Sequence, residues 1–173
     1  MNKSRPPGHI YKGRLISLRL QEVILPNGFK VRLELITHPG AALVVPFLSR
    51  NRIVMLKQFR PAINSYLYEL PAGTLNAKET PLECAKREML EETGYRADKF
   101  YLLGEIYPVP GYSSEKISIY KAEALKKASE VKGDADEILE SHIFTKQKVK
   151  TIFKEGKFKD AKTISALALC GWL

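Results

Sequence analysis

No apolar run in this chain approaches the roughly 18 residues that a membrane-spanning helix needs, so no membrane partner is expected. Cysteine is scarce. Cys84 and Cys170 are the only two in 173 residues and form no C-x-x-C pair, which argues against a disulfide framework and favours a reducing cytoplasm. The three histidines, His9, His38 and His142, have no metal-ligand spacing. The basic start, MNKSRPPGHIYKGR, has no apolar stretch behind it, and a secretory signal is not expected. Internal repeats and low-complexity segments are missing as well.

What remains is an ordinary globular composition, with 45% hydrophobic and 27% charged residues, in a chain long enough for one domain with a real core. The formal charge of +9 would attract polyanions, either nucleic acid or a diphosphate. Much of it sits at Lys146, Lys148, Lys150, Lys154, Lys157, Lys159 and Lys162. That segment has no nucleic-acid motif and no interleaved stacking aromatics, so a solvated surface is expected and a nucleic-acid partner is not.

Residues 1–10, with Pro6, Pro7 and Gly8, read as a loose lead-in. Arg14–Leu25 and Phe29–Thr37 read as strands around Pro26-Asn27-Gly28, since Asn-Gly between alternating apolar positions signals a hairpin. His38-Pro39-Gly40 then breaks the run, which predicts an extension over 1–38 and a main domain over 39–173. Further strands are expected at Ala41–Leu48, Arg52–Gln58, Phe100–Tyr107, Lys116–Ala124 and Leu139–Phe144, with helix in the C-terminal part and a break near Gly156. Strands and helices interleaved in this way predict an α/β protein with a mixed β-sheet sandwiched between helices.

One helix is punctuated with unusual clarity. Thr80-Pro81-Leu82-Glu83 is a capping box with proline at the first helical position, and Gly94 suits the left-handed residue beyond the end. Leu82, Ala85 and Met89 should face the core. Glu88, Glu91 and Glu92 crowd five positions, and carboxylates at i and i+4 repel. A divalent cation held by hard oxygen ligands would offset that repulsion. Arg87 can pair with Glu91 four residues on.

The stretch GTLNAKETPLECAKREMLEETGY matches the Nudix box, G-x5-E-x7-R-E-U-x-E-E-x-G-U, at Gly73, Glu79, Arg87, Glu88, Met89, Glu91, Glu92, Gly94 and Tyr95. Met89 and Tyr95 fill the bulky apolar class less typically than Ile, Leu or Val. Seven fixed polar or glycine positions within 23 residues make the match very specific. The chain therefore resembles the Nudix hydrolases, and the resemblance implies the Nudix fold and hydrolysis of a nucleoside diphosphate linked to a further group. His38–Ala41, Lys57–Pro61, Glu69–Gly73, Asp160–Thr163 and Pro110 extend it to the ADP-ribose pyrophosphatase branch, although GDP-mannose enzymes share several of these segments.

The resemblance assigns roles residue by residue. Glu88, Glu91, Glu92 and the Ala72 carbonyl are expected to hold Mg2+, with Mn2+ as a substitute. Arg87 supports them, and Glu91, Glu92, Glu137 and Arg87 form the expected catalytic set. Glu137 is the first choice for a late carboxylate on a mobile loop, with Asp134 and Asp136 as alternatives. Arg60, Ser114 and Glu115 match substrate-contacting positions, while Glu69 is read as support for the box loop. The resemblance further implies a homodimer built through the N-terminal hairpin. Another nucleotide sugar as substrate, or a non-catalytic module that binds a ligand or RNA, are the alternatives.

Overall fold

The computed structural model of the chain describes residues 8–128 and 138–173. Asp134, Asp136 and Glu137 therefore lie outside the described residues. The chain divides into two compact units, one running to residue 40 and including 107–116, the other comprising 41–106 and 117–173.

In the first unit, β1 (Gly8–Lys12), β2 (Ser17–Ile24) and β3 (Lys30–Thr37) form an antiparallel sheet in that order. The Asn-Gly turn closes as its chemistry requires. Gly28 adopts φ 84°, the Phe29 N–H donates to Asn27 Oδ1 at 3.2 Å, and Leu25 exchanges 2.8 Å backbone bonds with Gly28 and Phe29. The lead-in expected over 1–10 is corrected at Gly8: β1 supplies backbone partners to the open edge of β2. Gly13–Ile16 is a turn, closed by the Gly13 N–H on the Ile16 carbonyl at 2.9 Å, so β2 starts later than Arg14. Segment 107–116 docks beside β3, where Ile36 donates to the Tyr112 carbonyl at 2.7 Å and accepts from the Ser114 amide at 3.0 Å.

The second unit is a seven-stranded mixed sheet. Its centre is β4 (Ala41–Ser49), parallel to β9 (Ile117–Lys127) and antiparallel to β5 (Arg52–Arg60) and β7 (Ala72–Thr74). β6 (Ser65–Glu69) and β10 (Leu139–Thr145) pair with β5, and β8 (Tyr95–Ile106) pairs with β9. Helix α1 (Pro81–Thr93) covers one face of this sheet, and α2 (Lys146–Lys154) and α3 (Ala161–Leu169) cover the other.

The side-chain period of β4 produces these two layers. Leu43, Val45 and Phe47 pack with Val149 and Ile152 of α2, Ala166 and Leu167 of α3, and Trp172. Ala42 and Val44 point the opposite way, onto Cys84, Ala85 and Met89 of α1. A strand buried on both faces has no polar alternation, which is why Ala41–Phe47 reads as one apolar run. β6 and β7 went unseen in the sequence because Pro71 separates them and three residues are too few to show a period. β8 starts at Tyr95, directly after the helix, rather than at Phe100.

Both ends of α1 form as the sequence dictates. Thr80 Oγ1 accepts from the Glu83 amide at 3.3 Å, and Glu83 Oε2 accepts from the Thr80 amide at 2.8 Å. Gly94 sits at φ 73° and donates to the Leu90 carbonyl at 2.9 Å. Gly94→Ala should place a β-carbon in the left-handed region at a cost of about 1–2 kcal/mol. A calorimetric scan should accordingly show a midpoint lower by about 2–8 °C.

Candidate active site

Helix α1 carries Glu88, Glu91 and Glu92 within five residues, and Arg87 joins them. Its Nε and Nη2 donate to Glu79 Oε1 and Oε2 at 2.8 and 2.9 Å, a two-pronged bond across eight residues. Nη1 donates to Glu88 Oε1 at 2.6 Å and to Glu91 Oε2 at 3.1 Å, and Nη2 also reaches the Thr74 carbonyl at 3.2 Å. One planar cation thus ties the loop before α1 to the helix. The Glu79 bonds push the Arg87 guanidinium above its ordinary value, and Arg87 holds the Glu79 carboxyl below the usual carboxylate range.

A depressed carboxyl stabilises the fold above its unfolded value and loses that contribution as pH falls through its folded value. Glu79→Gln should therefore lower the melting temperature near neutral pH, with the mutant and parent curves converging below about pH 4. A series of thermal melts from about pH 7 to about pH 3 checks this.

Glu92 is 3% exposed, and its Oε2 accepts the Ala72 N–H at 3.0 Å. Glu88 lies one turn earlier, against the next residue of β7. A β-carbon built on Gly73 would overlap the Glu88 carboxylate. Gly73 has no left-handed φ, so the close approach of Glu88 alone requires a glycine there. Glu91 is the most open of the three, with its side chain 46% exposed.

Glu88 and Glu92 thus converge on the Ala72–Gly73 backbone and offer a donor set made only of oxygen. Among the described residues, no three His, Cys, Asp or Glu side chains close into a metal cage. Magnesium takes one or two carboxylates, as Glu88 and Glu92 offer here, while water and substrate oxygens supply the rest. The residues present therefore fit a hard divalent cation. Cys84 does not compete as a thiolate. Burial and then the nearby Glu88 and Glu79 push its thiol up to about 12, and its Sγ donates to the Gly73 carbonyl at 3.3 Å.

Arg60 lies at the end of β5, and its Nε and Nη2 donate to Glu69 Oε1 and Oε2, both at 2.7 Å. Glu69 is 1% exposed at the end of β6 and also accepts from Lys162 Nζ, which in turn bonds Asp160 Oδ1 at 2.8 Å. Burial alone would raise the Glu69 carboxyl, but the Arg60 fork and Lys162 outweigh it and hold it low. Glu69 raises the Arg60 guanidinium in turn. The sequence singled out Asp160–Thr163 as a motif without seeing that it neutralises Glu69 from across the fold. Asp160 also caps α3 through the Thr163 amide at 3.0 Å, and Thr163 Oγ1 accepts the Leu70 N–H at 3.0 Å.

Ser114 and Glu115 belong to the first unit. Ser114 Oγ accepts the His38 N–H at 3.1 Å, and Glu115 Oε1 lies 3.9 Å from His38 Nδ1. No helix among the described residues is long and apolar enough to cross a membrane.

A family model of the NUDIX domain matches residues 37–167. ADP-ribose pyrophosphatase of Bacillus subtilis strain 168 is 35% identical over 159 residues, which are 91% of this chain and 86% of that protein. A methanol dehydrogenase activator of Bacillus methanolicus shows the same identity and coverage. GDP-mannose pyrophosphatase of Yersinia enterocolitica is 32% identical over 136 residues, 74% of this chain and 71% of that one. The crystal structure of an ADP compounds hydrolase covers 98% of this chain and 95% of its own with a TM-score of 0.78. At 22% identity that likeness is one of fold.

Proposed function

The chain belongs to the NUDIX family, and on that premise we propose that it hydrolyses the diphosphate bond of ADP-ribose with Mg2+, giving AMP and ribose 5-phosphate. The observation that carries this reading is the convergence of Glu88 and Glu92 on Ala72–Gly73, with Arg87 fixing the neighbouring carboxylates. Glu88, Glu91, Glu92 and the Ala72 carbonyl would hold the ion. When bound, Mg2+ neutralises phosphate charge and acidifies an attacking water.

The chain's own residues do the rest. Arg87 holds the rotamers of Glu88 and Glu91 before substrate arrives. Arg60 uses one edge of its guanidinium on Glu69 and turns the other to a phosphate oxygen. Glu137, or Asp134 or Asp136 in its place, takes the proton from water as it adds to one phosphorus. The bridging oxygen leaves with the other phosphate. Ser114 and Glu115 are assigned to the ribose on family resemblance.

A homodimer fits the N-terminal sheet and its turns, where Tyr11, Leu15, Ile24 and Phe29 are exposed. Two free cysteines fit a cytoplasmic location. Mn2+ would substitute for Mg2+ at an all-oxygen site.

GDP-mannose is the second reading, favoured by the Yersinia relative. Comparing kcat/KM for ADP-ribose, GDP-mannose, UDP-glucose, diadenosine polyphosphates and NADH separates the two. ADP-ribose should lead the panel. A lead for GDP-mannose would move the substrate assignment and leave the reaction type standing.

A further inference from the structure

The quartet Arg60, Glu69, Lys162 and Asp160 is tied together more tightly than a surface arginine needs. Glu69 is almost fully buried, and a buried carboxylate is costly unless it is paired and hydrogen-bonded. It has two cationic partners. Arg60 covers both its oxygens through Nε and Nη2, and Lys162 adds a further bond to Oε2 from the start of α3. The Arg60 side chain nonetheless stays 37% exposed, far more than its carboxylate partner.

The geometry of guanidinium gives this arrangement a direction. Nε and Nη2 form one edge of the fork, and Nη1 with the second Nη2 hydrogen forms the adjacent edge. The described bonds to Glu69 use only the first edge. A carboxylate anchored on that edge fixes the plane of the fork and leaves the second edge for an anion. Lys162 supplies part of Glu69's neutralisation, so Arg60 need not surrender its full charge to the carboxylate.

We propose that Lys162 is a positioning residue for substrate, acting through Glu69 to hold Arg60 with its free edge toward the diphosphate. Asp160 keeps Lys162 in place through its 2.8 Å bond and caps α3, so the helix start and the substrate arginine are set together. This rests on the reading of Arg60 as the diphosphate-binding arginine. Lys162 itself touches no substrate.

A double-mutant cycle on the full chain tests it with ADP-ribose as probe. The variants are Lys162→Met, Arg60→Ala and the pair, read by kcat, by KM and by calorimetric binding without metal. Lys162→Met should raise KM and Kd about tenfold, the scale of one charge-assisted bond. It should change kcat less than about twofold, and Lys162→Arg should recover most of the loss. On the Arg60→Ala background, Lys162→Met should add nothing further. If Arg60→Ala raises KM while Lys162→Met leaves it unchanged, or if the two losses simply add, the positioning role is wrong. An Arg60→Ala variant with unchanged KM and Kd would instead remove the arginine assignment on which the role rests. Should Lys162→Met fail to fold, Lys162→Gln, which keeps a donor without charge, carries the same cycle.

Discussion

Glu92→Gln should fold normally and turn over ADP-ribose at least about 100-fold more slowly at saturating substrate, the scale for losing one electrostatic stabiliser. The substitution is nearly isosteric at a buried position. Its amide oxygen can still accept the Ala72 N–H that Glu92 Oε2 accepts now, so the join between α1 and β7 survives. The charge does not survive, and the amide nitrogen puts a donor, which repels a cation, where Glu92 has its second carboxylate oxygen. Stability should therefore change little while kcat collapses. A thermal melt beside a steady-state assay separates the two effects, and near-normal kcat with Mg2+ would remove Glu92 from the site.

Gly73→Ala should be similarly damaging for activity, through displacement rather than loss of charge. The added methyl has no room, because the Glu88 carboxylate already occupies its place. Since the obstacle is the far end of a flexible side chain, Glu88 can swing away at modest cost to the fold. In doing so it leaves both the Ala72–Gly73 backbone and its 2.6 Å bond to Arg87. The expected result is a fall in kcat/KM of about 100-fold, again the scale of one lost stabilising group, with a melting temperature within a few degrees of the parent. A large drop in stability with undiminished activity per folded molecule would show that Gly73 serves the backbone and not Glu88.

Most of this architecture could be read before any coordinates because its signals are local. The Thr80 capping box, Pro81 and Gly94 delimit α1 by the backbone groups they satisfy, and Asn27-Gly28 closes its hairpin by positive φ. The sheet-and-helix layering follows from the continuous apolar run of β4. The missed elements are those whose signal is not local. β1 has no apolar period and exists by pairing with β2, while β6 and β7 are short segments split by Pro71.

The site divides in the same way. The crowding of Glu88, Glu91 and Glu92 is visible along one helix, and so is the 3.1 Å Arg87–Glu91 pair. That Arg87 also grips Glu79 depends on how the preceding loop folds back. That Glu69 joins Arg60 to Lys162 depends on a contact across 93 residues, which no spacing rule encodes. Gly73 shows the difference most simply. The motif marks it as fixed, and the structure explains why, since its missing side chain is where Glu88 sits.

On the proposed function these carboxylates serve Mg2+-dependent hydrolysis of ADP-ribose. The purified chain can be incubated with ADP-ribose and the products resolved chromatographically, first with EDTA and then with Mg2+ restored. No turnover is expected with EDTA, and AMP and ribose 5-phosphate should form in equal amounts once Mg2+ returns. Turnover that persists undiminished in EDTA, or no products with Mg2+ or Mn2+, would contradict that function.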